Sequence, residues 1–198
     1  MTINIRKIIA AALLISALFT IAACGPGEVI ELSTDDGTLA NNEIIDFYFY
    51  YPSNWKLDKN AAMVSVYFPE LSEEETDMPY DDGSFGVLIQ PNLSATVMGL
   101  PAGAFTDADD YWENGFLPPM QGLFTDIEVT GVYDVELNGV AGKLYDYTAK
   151  LTGVTFSYSQ VMVLNRGMVY TLTYTSKPVF HEKYMIALDT AIRTFTFK

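Results

Sequence analysis

The densest group of side chains that could do chemistry is a set of carboxylates in the acidic segment 70–82. A hard cation such as calcium takes about six to eight oxygen ligands of this kind, although the spacing here differs from that of an EF-hand loop. A solvated acidic loop explains the same charges. We therefore predict no metal site and keep calcium binding as an alternative. The candidate surface for a partner or ligand is Glu73, Glu74, Glu75, Asp77, Asp81 and Asp82.

The side chains that common hydrolases use are scarce. His181 is the only histidine, and it lies beside Glu182 and Lys183 near the start of a predicted helix, where an exposed histidine is common. Ser157 and Ser159 fall within a predicted strand instead of a strained nucleophile turn, and no G-x-S-x-G occurs. The sequence also has no H-E-x-x-H, no phosphate-binding glycine loop and no dinucleotide fingerprint. We expect a protein that is not an enzyme and carries no cofactor.

The N-terminus gives a more specific signal. Arg6 and Lys7 precede an uncharged apolar run over residues 8–23, which stops at Cys24. This pattern is typical of a secretory signal peptide, and the run is shorter than the about 20 residues of a membrane span. Together with the box IAAC at 21–24, it resembles a bacterial lipoprotein signal peptide. The resemblance implies a diacylglyceryl group on Cys24 and cleavage before it, and two acyl chains give a stable anchor in the lipid bilayer.

Composition limits the rest of the chain. Cys24 is the only cysteine, which excludes an intramolecular disulfide and a cysteine-based metal site. The net charge is −14, and removal of the signal takes away basic residues but no acid. Such a surface repels nucleic acid, so we expect no nucleic-acid partner. The predicted organisation is a signal peptide over 1–23, a lipidated cysteine and flexible tether over 24–42, and a single domain over 43–198.

Most of that domain alternates apolar and polar residues with the period of a strand. Pro91 marks an edge, or the end, of the third predicted strand. Four later strands form an antiparallel meander, because Asn138-Gly139, Thr152-Gly153 and Asn165-Arg166-Gly167 supply turns that tolerate positive φ. The predicted strands are 44–51, 62–68, 84–93, 127–137, 142–151, 155–164, 168–175 and, at the C-terminus, 194–197.

Two helices complete the pattern. Thr106 would cap the first, whose first turn carries the acidic residues Asp107, Asp109 and Asp110 against the positive end of the helix dipole. Pro118-Pro119 would end or kink this helix. The second covers residues 180–192, where the apolar residues return to helical spacing.

An unbroken aromatic run, FYFYY, occupies residues 47–51. In a strand its side chains must point to both faces. Both halves are core if both faces of the sheet are covered. Otherwise one half lines an aromatic groove for a glycan, a peptide or a partner protein.

Several of these segments together resemble the PsbP-like family. They are the early strand ending in YPSNW (51–55), the Asn-Gly-linked meander, the strand VYTLTY (169–174) and a last helix running into FTF (195–197). The order of elements carries the resemblance, from about residue 42 to the end. It implies an α+β fold, an α/β/α sandwich with a central and mostly antiparallel sheet. Members of this family are mostly non-catalytic accessory or binding proteins.

The leading hypothesis is therefore a lipoprotein of the cell envelope, lipid-anchored on the extracytoplasmic face of the membrane, that serves as a non-catalytic accessory module and binds a protein partner. The first alternative is a lipoprotein that binds a small ligand or calcium. The second is a carboxylate-dependent hydrolase that acts on cell-wall glycans, which needs a pair of facing carboxylates.

Overall fold

The computed structural model describes residues 38–41, 45–53, 55–60, 63–67 and 90–198. Cys24 and the acidic residues Glu73, Glu74, Glu75, Asp77, Asp81 and Asp82 lie outside the described residues. Their roles as lipidation site and partner surface therefore stay predictions.

Two antiparallel sheets form the framework. The smaller has β1 (Thr38–Asn41), β2 (Phe47–Tyr51) and β10 (Thr196–Phe197), with β2 in the middle. Within the described ranges, the main sheet has seven strands in the spatial order β3-β4-β5-β9-β8-β7-β6. Its strands are β3 (Lys56–Asn60), β4 (Met63–Tyr67), β5 (Asn92–Gly99), β6 (Phe124–Leu137), β7 (Val140–Leu151), β8 (Val154–Asn165) and β9 (Met168–Ser176).

The predicted meander is confirmed as β6 to β9, each paired with the next. Its three turns each place two successive residues at positive φ, the backbone of a type I′ hairpin. The first turn has φ 51° at Asn138 and 78° at Gly139. The residues at these turns determine the register of the strands that they join.

Three features of the N-terminal part differ from the prediction. β1 lies within the segment assigned to the tether, so residues 38–41 belong to the folded part. β3 was not predicted, because KLDKN lacks the apolar alternation of a strand. β5 covers residues 92–99 and overlaps the predicted strand 84–93 only at its end, and residues 84–89 lie outside the described residues. Pro91 comes directly before β5, which lies between β4 and β9 and is not an edge strand. Since proline has no N–H to donate to the ladder, it is tolerated at the entry to a strand.

The first helical segment has three parts, α1 (Ala108–Asp110), a π-helix (Tyr111–Phe116) and α2 (Leu117–Met120). Its cap is Asp107 and not Thr106, because Asp107 Oδ1 accepts from the Asp110 N–H at 2.9 Å. Pro118-Pro119 does not end the segment but lies in the first turn of α2, where a missing N–H loses no bond. The predicted second helix is divided into a 3₁₀ turn (Pro178–Phe180), α3 (His181–Tyr184) and α4 (Ile186–Thr194).

The main sheet separates two apolar cores. The first core lies on the side of β2 and α4 and contains Phe47, Phe49, Leu172 and Leu188. The second lies under the helical segment of residues 108–120 and includes Trp112 against Tyr145. The chain is therefore an α+β sandwich about a central antiparallel sheet, as predicted, with one covering layer built from both a helix and a small sheet. Within the described ranges, no helix combines the length and the apolar character needed to cross a bilayer.

Candidate functional site

An open groove of about 600 Å³ lies between β2, the junction of α4 with β10, and the β6–β7 turn. Its walls combine aromatic, polar and charged side chains. The lining residues are Tyr48, Tyr50, Glu136, Asn138, Gly139, Ile192, Arg193, Thr194, Phe195 and Thr196.

The alternation of β2 gives the groove its aromatic wall. Phe47, Phe49 and Tyr51 point inward and are buried, whereas Tyr48 and Tyr50 face the other way and are half-buried. The inward rings hold the strand in place, and Phe47 stacks on Phe195 at 5.1 Å between ring centroids. One half of the aromatic run is therefore core, and the other half lines the groove.

Hydrogen bonds fix the neighbouring backbone. The Tyr50 N–H donates to Thr194 Oγ1 at 2.9 Å, and that hydroxyl donates to the Thr190 carbonyl at 2.7 Å. The Phe197 N–H donates to the Asn138 side-chain oxygen at 3.2 Å, which ties β10 to the β6–β7 turn. Because strand, helix end and turn are joined in this way, the backbone around the groove is held in place.

The groove offers several kinds of recognition chemistry at once. Two half-buried phenol rings give apolar contact with a polar tip. The exposed Arg193 can donate to a carboxylate, and the exposed Glu136 can accept from a basic group. Tyrosine and arginine are the residues most enriched at the energetic centres of protein interfaces.

A second polar site surrounds His181, on the face of the sheet that carries the first core. His181 Nε2 lies 2.9 Å from Ser159 Oγ, and His181 Nδ1 lies 3.1 Å from Ser176 Oγ. Ser159 also donates to the carboxylate of Asp146, its cross-strand neighbour. Burial lowers the pKa of His181, although the carboxylates of Asp146 and Glu182 act in the opposite direction. The ring is therefore neutral at pH 7.

The direction of these hydrogen bonds argues against a nucleophile and its base. The Ser159 hydroxyl has one proton and gives it to Asp146, so His181 Nε2 must donate to Ser159. Nδ1 of the neutral ring then accepts from Ser176. A general base accepts the serine proton on a free lone pair of its ring nitrogen. In this tautomer the nitrogen that faces Ser159, Nε2, already carries a proton. Ser159 is also fully buried, so the chain of bonds is a structural relay.

The sequence predicts an exposed or cap-adjacent histidine at position 181 and does not indicate this cluster. Ser159 and Ser176 alternate with apolar residues along neighbouring strands, but no local pattern in the sequence links them to His181. The acidic residues predicted in the first turn of the first helix have separate roles. Asp107 caps α1, while Asp109 accepts a hydrogen bond from the Tyr145 hydroxyl at 2.7 Å. In the described part of the chain, no cluster of histidine, cysteine and acidic residues is suited to a metal ion.

Comparison with known proteins finds likeness at the level of structure. No family model matches the chain, and no curated protein matches it in sequence. Cyanobacterial PsbP (CyanoP) from Synechocystis superposes with a TM-score of 0.54 at 15% identity, covering 88% of this chain and 100% of that chain. LpqN, involved in cell envelope biogenesis of Mycobacterium tuberculosis, superposes with a TM-score of 0.53 at 13% identity, covering 88% of this chain and 99% of that chain. PA94, a protein of unknown function from Pseudomonas aeruginosa, superposes with a TM-score of 0.54 at 17% identity, covering 82% of this chain and 98% of that chain. At such identities the likeness concerns the fold alone, and the chain has the PsbP-like fold.

Proposed function

We propose that this protein is a lipid-anchored accessory module of the cell envelope that binds a partner protein through the groove at Tyr48 and Tyr50. Cys24 would carry the acyl chains, and the domain would stand off the membrane on a short tether. The observation that carries the proposal is the groove itself, where half-buried tyrosines lie beside Arg193 and Glu136 on a fixed backbone.

The shape of the molecule supports binding over catalysis. Packed layers cover both faces of the main sheet except at the edge strand β6, and the groove is open. Among the described residues that line it, Glu136 is the one carboxylate, whereas a glycosidase of the ordinary kind needs two facing carboxylates. LpqN, which shares the fold, is involved in cell envelope biogenesis, and this role agrees with an envelope setting for the present chain.

The test is cross-linking in cells of an affinity-tagged copy, followed by mass spectrometry of the proteins that stay attached. We compare the parent with a Tyr48→Ala, Tyr50→Ala double variant. Truncation of both rings removes the aromatic wall, so we expect loss of the partner by tenfold or more, about 1.4 kcal/mol. Leu123→Ser is the matched control, because Leu123 is an exposed apolar residue outside the groove.

The outcomes separate the hypotheses. One envelope protein recovered by the parent and the Leu123 variant, and lost with the double variant, supports the proposal. Recovery that is equal for all three would place the partner elsewhere and refute the role of the groove. If no protein is recovered, binding of cell-wall glycan fragments to the same variants tests the small-ligand alternative, since paired aromatic rings also bind sugars.

A further inference from the structure

Among the described strands, β6 forms one edge of the main sheet. It is the last strand in the sheet order, and among the described strands it pairs only with β7. Its middle residues are exposed on both faces because neither covering layer reaches this far. Val129, Val132 and Tyr133 are 44%, 47% and 53% exposed, which is unusual for apolar side chains in a sheet.

The two halves of this edge differ. Register shifts between Thr125 and Glu128 and between Val129 and Gly131 break the N-terminal half. Bulges of this kind commonly prevent another strand from pairing with an edge. From residue 131 to 137 the register with β7 is unbroken, without proline and without lysine. The C-terminal half is therefore protected by the charges of Asp134 and Glu136 and by none of the other usual devices.

The hairpin register shows which backbone groups point outward. The type I′ turn at Asn138-Gly139 makes Leu137 and Val140 a hydrogen-bonded pair. Hydrogen-bonded and non-hydrogen-bonded pairs alternate along an antiparallel ladder. Val132, Asp134 and Glu136 are therefore in non-hydrogen-bonded pairs with β7, so their N–H and carbonyl groups face the free edge.

The surrounding charge selects the partner. Asp134 and Glu136 lie on one face of β6 and are exposed, with Asp134 92% exposed even though Lys143 contacts it at 2.8 Å. The carboxylates of Asp107, Asp109 and Glu113 act on Tyr145, which lies across from Val132 on the same face. The negative groups outnumber Lys143, so this face attracts a basic chain.

We propose that the β6 edge, residues 131–137, binds an extended basic segment of another protein as an added antiparallel strand. In that alignment lysine or arginine pairs with Glu136 and with Asp134, and apolar residues pair with Tyr133 and Val132. The partner motif is basic, any residue, basic, apolar, apolar. Backbone hydrogen bonds supply affinity and the alternating side chains supply specificity.

A second copy of this chain fits the edge poorly. Antiparallel pairing of two β6 strands brings the carboxylates of Asp134 and Glu136 close to those of the other copy, and like charges in cross-strand positions are destabilising. The inference rests on the proposed binding role and shares Glu136 with the groove, but the tyrosine wall and Asp134 belong to only one surface each. Failure of the edge therefore leaves the Tyr48 and Tyr50 result standing, and the reverse also holds.

The experiment measures binding of a fluorescent peptide, Thr-Lys-Thr-Lys-Val-Val-Thr with blocked ends, to the full chain in detergent. The decisive pair of variants is Asp134→Pro and Asp134→Ser. Both remove the charge, but only proline removes the outward N–H, and it leaves the ladder with β7 intact. We expect saturable binding by the parent, a small loss for serine, and a further loss of about tenfold for proline.

A second variant keeps the test independent of folding. Glu136→Lys should weaken binding of the peptide, and replacing the facing lysine of the peptide by glutamate should restore it. A peptide of the same composition in scrambled order is the specificity control. The proposal is overturned if the parent does not bind, if proline and serine variants bind equally, if the scrambled peptide binds as well, or if the chain self-associates through β6 instead.

Discussion

Gly142 lies in β7 at a point where the structure leaves no room for a side chain. A Cβ atom built there would lie 2.3 Å from the backbone carbonyl oxygen of Met162 and 2.5 Å from Val163 Cγ2. The first obstacle belongs to the backbone of β8, so rotation of a side chain cannot relieve it. Alanine at this position must push β7 and β8 apart next to the first residue pair of their ladder, Lys143 with Met162.

The expected magnitude follows from this contact. Adding a methyl group to a packed site destabilises by about 1–3 kcal/mol, and a clash with backbone belongs at the upper end of that range. Gly99 in β5 is the matched control, because a Cβ there meets only Met168 Sδ at 3.8 Å and its φ is not positive. Gly99→Ala should stabilise by about 0.4–1 kcal/mol, since alanine restricts the unfolded chain. The two variants should therefore differ by about 3–4 kcal/mol.

Urea unfolding followed by circular dichroism measures this difference, with thermal melting as a second probe. For a domain of this size, about 3 kcal/mol lowers Tm by roughly 6–12 °C. An unchanged slope of free energy against urea would show that the variants expose the same surface on unfolding, so that a shift of the midpoint reports a change in stability. The reasoning is refuted if the Gly142 and Gly99 variants unfold within about 1 kcal/mol of each other.

Three further predictions concern Tyr147, His181 and Cys24. Tyr147→Phe should destabilise by about 1–3 kcal/mol in urea unfolding, because the buried Gln160 side-chain oxygen loses its donor at 3.0 Å. His181 has a pKa below the ordinary value of 6.5 because it is buried. Its contribution to the free energy of unfolding is therefore present above about pH 6.5 and is lost as pH falls through the pKa of the folded state. Unfolding measured between pH 7 and pH 5 should show that loss in the parent and a weaker one in His181→Gln. Cys24→Ala should leave the membrane fraction or keep its signal uncut, and unchanged processing and fractionation of this variant would contradict anchoring.

The meander was predictable because its signals are local. Asn138-Gly139 and the other turns each combine residues that tolerate positive φ with alternating strands on both sides. The sequence predicted Thr106 as the helix cap, whereas the cap is its neighbour Asp107, so this error is local and amounts to one residue. β1 and β3 were missed for a different reason. TLAN and KLDKN have weak patterns of their own, and these segments become strands through pairing with β2 and β4.

The candidate sites depend on contacts between residues far apart in the chain, and this limits what the sequence alone could predict. The aromatic run 47–51 indicated a strand with two apolar faces, but only packing against α4 and β10 decides which face is core. The relay at His181 joins residues from β7, β8, β9 and α3, and none of those segments has a catalytic motif. The edge of β6 is different, because its outward backbone groups follow from the Asn138-Gly139 turn once β6 is known to be the last strand. The hairpin register was therefore already in the sequence, while the place of β6 in the sheet required the fold.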